Sequence, residues 1–123
     1  MKELGPKDYA SNANELKKNI DIIQKTFEKY GLEVLSVGLE YQGMLGGNGI
    51  KFYVEVLGNE TLDPDQTFDL KINVYDKSGS IISMGSYYID GEDFSGFDTY
   101  EIAVFHETIW QDATKARIYL TKA

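Results

Sequence analysis

The 123-residue sequence has no cysteine, a single histidine, a single tryptophan and two prolines. The absence of cysteine excludes disulfide bonds, thiolate metal sites and a cysteine nucleophile in this chain, although it does not assign a cellular compartment. No apolar stretch approaches the roughly 20 residues that a membrane-spanning helix requires. Residues 1–10 also lack the apolar core of a signal peptide. We therefore expect no membrane insertion, and any export signal is missing from this chain.

Basic residues are also few. The sequence has twelve Lys and Arg residues and twenty Asp and Glu residues, which gives a net charge of −8 at neutral pH. A negative field of this kind repels nucleic acid and anionic lipid, so neither is an expected partner. A basic protein or a cation fits the charge, whereas the plainer interpretation is that the charge keeps the protein soluble.

Apolar and aromatic residues, in contrast, are abundant. They include nine Tyr and six Phe, and 42% of the residues are hydrophobic. Disordered chains are poor in such residues, and single cores typically contain roughly 100–150 residues. We therefore expect residues 1–123 to form a single domain, with residues 1–11 as a flexible lead-in.

Residues 12–31 carry the pattern of an amphipathic helix. Asn12 and Glu15 match a capping box, and Gly31 suits the left-handed conformation that ends many helices. The apolar stripe of this helix packs on a sheet of its own domain, which favours a monomer, or alternatively pairs with a second chain in a helix-mediated dimer. Spacings of three and four define the stripe: Leu16, Ile20, Ile23, Phe27 and Tyr30.

From residue 32 onward the apolar period changes to two, as is typical of half-buried strands. The region 105–115 fits either a strand extension or a short helix, and the glycine-rich segment 43–49 is predicted to be a flexible connection. Residues 34–121 are therefore predicted to form an antiparallel immunoglobulin-like β-sandwich, so that the fold class is mainly β with one N-terminal helix. The predicted strands are 35–41, 50–56, 68–75, 81–89, 99–105 and 116–120.

The third and fourth predicted strands resemble a known family. Residues 68–82 have the sequence FDLKINVYDKSGSII, and residues 85–89 follow with GSYYI. This pattern resembles the bacterial FxLYD-type domains, and the resemblance covers about residues 35–120. It implies an immunoglobulin-like sandwich with an adhesion, scaffolding or accessory role at the cell envelope or outside the cell. It implies no catalytic residues.

Two acidic loops form the first candidate site. Because strand direction alternates in an antiparallel sheet, loops 58–66 and 90–98 are predicted to emerge at the same end of the sandwich. Their carboxylates would suit Ca²⁺, which takes roughly six to eight oxygen ligands, or a docking protein, or simply solvent. This predicted acidic pole contains Glu60, Asp63, Asp65, Asp90, Glu92, Asp93 and Asp98.

Aromatic residues form the second candidate site. Outward-facing rings would stack on a sugar or anchor a protein partner, although ordinary strand propensity also accounts for tyrosine. His106, the only histidine, has no nucleophile beside it and is predicted to be structural. The predicted aromatic strip consists of Tyr53, Tyr75, Tyr87, Trp110 and Tyr119.

These patterns favour a non-catalytic binding or structural module that mediates protein interaction and needs no cofactor. One alternative is an acidic cytoplasmic or phage-encoded inhibitor that mimics nucleic acid toward a basic protein. The other alternative is a Ca²⁺-binding sandwich domain. An enzyme is not expected, because the sequence contains no recognisable nucleophile–base pair or spacing of metal ligands.

Overall fold

The computed structural model describes residues 5–44, 47–58, 63 and 65–123, which form seven strands and three short α-helices. A 3-10 turn (Pro6–Tyr9) precedes the first helix. The helices are α1 (Ala10–Lys18), α2 (Gln24–Glu28) and α3 (Ile109–Asp112). The strands are β1 (Ile20–Ile22), β2 (Leu32–Met44), β3 (Gly47–Gly58), β4 (Thr67–Tyr75), β5 (Ile81–Asp90), β6 (Phe97–Phe105) and β7 (Lys115–Lys122).

The strands form two sheets, with the orders β1-β7-β4-β5 and β2-β3-β6. All neighbours are antiparallel except β1 and β7, and the predicted β-sandwich is confirmed. The chain passes from one sheet to the other after β1, β3, β5 and β6. This connectivity places β2, β3 and β6 as strands A, B and E of an immunoglobulin fold, and β4, β5 and β7 as strands C, C′ and F. Strand β1 lies beside β7, in the position where that fold has its last strand.

The hydrophobic core lies between the two sheets. Side chains alternate along each strand, so every second residue of β3 and β4 faces inward and is buried. Full burial of one such aliphatic or aromatic side chain contributes about 1.5–3 kcal/mol. The inward residues of these two central strands are Ile50, Phe52, Val54, Val56, Phe68, Leu70, Ile72 and Val74.

The prediction of one helix over residues 12–31 is wrong. Helix α1 begins at Ala10 and ends at Lys18, and the following residues form β1 and α2. Asn19 caps α1 by donating its side-chain amide to the carbonyl of Glu15 at 3.1 Å. Ile20 and Ile22 then pair with β7, because β-branched residues suit a strand and β7 offers an open edge. Asn12, predicted as the N-cap, lies inside α1.

The apolar stripe of the N-terminal segment is nevertheless buried against the sandwich of the same chain. Leu16 and Phe27 are fully buried, and Ile20 packs against the core. The ring of Tyr30 lies 4.7 Å from that of Phe68. Gly31 has the predicted left-handed conformation, with φ +72°, and it leads directly into β2. The stripe is therefore already covered within one chain.

Strands β2 and β3 extend further than predicted. Their pairing continues to Met44 and Gly47, so residues 43, 44 and 47–49 of the predicted flexible connection belong to paired strands instead. Residues 45 and 46 lie outside the described residues. A bulge lies between Val34 and Ser36, and it turns Leu35 outward while Val34 is buried. Within the part of the chain that the structure describes, no helix is both long and apolar enough to cross a membrane.

Candidate binding site

Strands β5 and β6 are edge strands of different sheets, and they lie along each other on one side of the sandwich. The hydroxyl of Ser83 donates to the carbonyl of Phe105 at 2.7 Å and accepts from its amide at 3.1 Å. Gly85 allows this close approach, because a Cβ there would lie 2.8 Å from side-chain carbons of Ile102 and Val104. The two edge strands therefore lie side by side, and we call this part of the molecule the β5/β6 flank.

The β5/β6 flank exposes large hydrophobic side chains. Met84 and Tyr88 retain 63% and 56% of their accessible surface. Of the exposed large hydrophobic residues that the structure describes, all except Leu35 lie on these two strands. Residues of this kind mark interaction surfaces when they are grouped. These residues are Ile81, Met84, Tyr87 and Tyr88 on β5, with Phe97 and Phe105 on β6. Met84 and Tyr88 pair with outward residues of β4 and are grouped on the outer face of the four-stranded sheet, whereas Phe97 and Phe105 lie on the outer face of the three-stranded sheet.

A cavity of about 210 Å³ lies at the end of the flank where β5 ends and β6 begins. Its aromatic lining comes from Tyr87, Tyr88 and Tyr100. The Tyr87 and Tyr100 rings have centroids 5.1 Å apart and are tilted by 46°. Ile89 and three acidic residues, Asp90, Asp93 and Asp98, complete the lining. The cavity therefore joins part of the predicted aromatic strip with part of the predicted acidic pole.

The loop between β5 and β6 holds these carboxylates in place. One carboxylate oxygen of Asp90 accepts a hydrogen bond from the amide of Glu92 at 3.0 Å, and one of Asp98 accepts from the amide of Thr99 at 2.9 Å. Phe94 is buried and anchors the middle of the loop. Each capping carboxylate retains a second oxygen that can bind a ligand.

Tyr100 is the most buried of the cavity's tyrosines, with 7% of its surface exposed. Burial raises its pKa above the usual tyrosine range, and the negative charge of Asp98 and the neighbouring Tyr87 raise it further. The hydroxyl is therefore protonated at neutral pH.

The other predicted tyrosines lie on two different faces. Tyr75 and Tyr119 share the outer face of the four-stranded sheet, where the guanidinium of Arg117 lies 5.4 Å from the Tyr75 ring centroid. Tyr53 lies on the outer face of the three-stranded sheet, and its hydroxyl donates to Glu40 at 3.0 Å. This hydrogen bond raises the pKa of Tyr53. The predicted aromatic strip is therefore not one continuous surface.

The assignment of Trp110 to that strip is wrong. Trp110 lies on α3, is only 5% exposed and packs against Tyr9 at 5.6 Å between ring centroids. Its indole N–H donates to the carbonyl of Gly49 at 3.0 Å. The only polar group of the Trp110 side chain is therefore hydrogen-bonded although it is buried. Trp110 belongs to the core and anchors α3 to β3.

The predicted acidic pole is brought together only in part. The two loops touch, since the amide of Gly91 donates to the carbonyl of Gln66 at 2.9 Å. The carboxylate of Asp63 caps the amide of Asp65 within its own loop. Within the described residues, no three His, Asp or Glu side chains form a group that could hold a metal ion. Glu60 lies outside the described residues, and Glu92 is exposed beside the cavity without lining it.

His106 borders a second, larger cavity of about 580 Å³, next to Asn48, Phe105 and Glu107. The His106 ring nitrogen Nδ1 accepts a hydrogen bond from the amide of Thr108 at 3.2 Å. This contact holds the turn that precedes α3, so the histidine has a structural partner. Sequence reasoning missed both cavities, because neither depends on a local motif.

Comparisons with known proteins add no family. No protein-family model matches the chain, and no curated protein matches it. Among solved structures, the chain is similar to that of the arabinose-bound MgGH51 α-L-arabinofuranosidase, at 12% identity and a TM-score of 0.28. This match covers 75% of the chain and 20% of the arabinofuranosidase, and it is too distant to bear on the fold or the function.

Proposed function

We propose that this protein is a non-catalytic protein-binding module and that the β5/β6 flank is its binding surface. The observation that carries the proposal is the concentration of exposed apolar side chains on two neighbouring edge strands. Aromatic residues and Met are enriched where proteins bind each other, and a partner that covers them gains about 25 cal/mol for each Å² of apolar surface removed from water.

A cell-envelope or extracellular location is part of the same proposal. It is supported by the resemblance of residues 68–89 to the FxLYD-type domains. Strands β4 and β5 carry that resemblance. Strand β5 is one of the two strands of the flank, and β4 pairs with it. The proposed role is therefore that of an accessory domain that holds a partner protein.

The test is affinity capture with the tagged protein, on envelope and cytosolic fractions of the source cells, at low and high salt. The flank variants are Met84→Ser and Tyr88→Ser, and the control is Tyr53→Ser on the opposite sheet. Because large interface side chains carry much of the binding energy, each flank variant should reduce capture of an envelope protein about tenfold. The control should leave capture unchanged.

Two outcomes contradict the proposal. Equal capture by the flank variants and the control would place the binding surface elsewhere. Capture of a basic cytosolic protein that is lost at high salt would instead support the acidic mimic, because such a contact rests on charge and is screened by salt.

A further inference from the structure

We infer that the cavity at the end of the β5/β6 flank receives an arginine side chain of the partner protein. This inference rests on the proposed function, since it names the partner chemistry that one part of the same surface recognises. It is carried by the lining of the cavity, which combines tyrosine rings with carboxylates that have no cationic partner.

The charge of the cavity calls for a cation. The ion pairs among the described residues are Lys18–Glu15 and Arg117–Asp21, and neither involves the cavity. Asp93 and Asp98 thus present negative charge that no neighbouring cation in the described residues neutralises. Among the described residues, no three carboxylates form a group that could hold a metal ion, which favours an organic cation over a metal ion.

The tyrosines favour a flat cation. A guanidinium stacks on aromatic rings and forms paired hydrogen bonds to carboxylates, whereas an ammonium is a compact point charge. The tilted rings of Tyr87 and Tyr100 provide the aromatic face, and Asp98 lies close enough to Tyr100 to influence its ionisation. The Tyr100 hydroxyl can accept one N–H of the guanidinium.

The size of the cavity favours one side chain over a free ligand. Sites for small molecules usually enclose roughly 300–1,000 Å³. At about 210 Å³ this cavity is smaller, and it opens onto the apolar flank that the rest of the partner would cover. A single arginine anchored beside an apolar contact is a common arrangement at the centre of protein interfaces.

The experiment is an NMR titration of the isotope-labelled protein with N-acetyl-arginine amide. N-acetyl-citrulline amide, which has nearly the same shape without the charge, is the control ligand. Arginine amide should give saturable shifts at the amides of Tyr87, Asp98 and Thr99. Citrulline amide should bind about tenfold more weakly, because it loses the charged hydrogen bonds. Binding of N-acetyl-lysine amide as strong as that of arginine amide would overturn the assignment to arginine.

Matched variants locate the binding. Asp93→Asn and Asp98→Asn should each weaken arginine amide about tenfold. Glu101→Gln removes the same charge from an exposed position on β6, on the outer face of the three-stranded sheet, and should change affinity less than about twofold. Similar weakening by all three variants would mean that only the net charge attracts the ligand, and would overturn the inference. So would equal affinity for citrulline.

Failure of this inference is distinguishable from failure of the proposed function. If Asp98→Asn captures the partner as well as the unmodified protein does, while Met84→Ser does not, the flank binds a partner and the cavity receives no arginine from it. If neither the flank variants nor the cavity variants alter capture, both proposals fail together.

Discussion

Tyr41 buries a hydroxyl that has no hydrogen-bond partner in the described residues. The residue lies on β2 with 7% of its surface exposed. A buried polar group without a partner costs about 1–3 kcal/mol, because it loses its bonds to water and gains nothing in exchange. Burial also raises the pKa of Tyr41 to about 12.

Replacement of Tyr41 by Phe should therefore stabilise the protein. We expect Tyr41→Phe to raise the free energy of unfolding by about 1 kcal/mol, measured by urea denaturation. Tyr53→Phe is the control, since it removes an exposed hydroxyl that bonds to Glu40. It should change the free energy by less than about 0.5 kcal/mol. A loss of stability in Tyr41→Phe would show that the hydroxyl has a partner.

Tyr41→Phe should also change how the free energy of unfolding depends on pH. Between about pH 10 and 12 the unfolded chain releases the Tyr41 proton while the folded protein retains it, so stability falls as the pH rises. The slope is about 1.4 kcal/mol per pH unit for one such group. Tyr100 contributes in the same direction. Tyr41→Phe should therefore make the alkaline loss of stability shallower, and an unchanged slope would contradict this account.

At the scale of elements, one side chain ties α2 to β2. The side-chain nitrogen Nε2 of Gln24 donates to the backbone carbonyl of Val34 at 2.9 Å. The backbone amide of Val34 donates in return to the side-chain oxygen Oε1 of Gln24 at 3.3 Å. The side chain thus takes the place of a neighbouring strand at the edge of the three-stranded sheet. It does so beside the bulge at Leu35.

Gln24→Met should loosen this connection. Both backbone groups of Val34 would lose their partner, so we expect the free energy of unfolding to fall by about 1–3 kcal/mol. Lys25→Met is the control, because Lys25 is exposed on the same helix and its replacement should cost less than about 0.5 kcal/mol. Equal effects of the two variants in urea denaturation would mean that the Gln24–Val34 hydrogen bonds do not stabilise the attachment of α2.

All strands except β1 could be predicted from the sequence, because the alternation of apolar and polar residues that identifies them is local. Alternation of apolar residues along β3 and β4 is enough to identify both the strand and its buried face. Strand β1 could not be predicted, since Ile20 and Ile22 also fit a helical stripe. Only the edge of β7, almost a hundred residues later in the chain, decides between the two conformations.

The candidate site was predictable only in part, for a related reason. Sequence reasoning identified Tyr87 and Asp98 separately, one as an aromatic and the other as a member of an acidic loop. Their meeting in one cavity depends on how β5 and β6 lie against each other, which Gly85 permits. Trp110 was wrongly placed because a tryptophan in an irregular segment gives no local sign of the carbonyl that its N–H reaches.

At the scale of the whole molecule, a net charge of −8 opposes folding. The ion pairs of the described residues, Lys18–Glu15 and Arg117–Asp21, are largely exposed and contribute little. Repulsion between like charges should therefore dominate the effect of salt on stability.

We expect the melting temperature to rise by about 4 °C when NaCl is increased from about 0.01 M to about 0.15 M, because the screening length falls from about 30 Å to about 8 Å. Differential scanning calorimetry measures the change. Glucose at equal osmolarity is the control and should not reproduce it. A melting temperature that falls with salt would mean that attractive pairs outweigh the repulsion.

The parallel pairing of β1 with β7 also bears on synthesis. The ribosome releases residues 20–22 long before it makes residues 116–118, with which they pair. Until β7 emerges, β1 lacks its partner strand, and the apolar side chains of α1 and α2 lack much of the surface that later covers them. Contacts between such distant parts of a chain form slowly. The nascent protein therefore carries an open apolar segment until β7 has been made, and β7 is the strand that covers it.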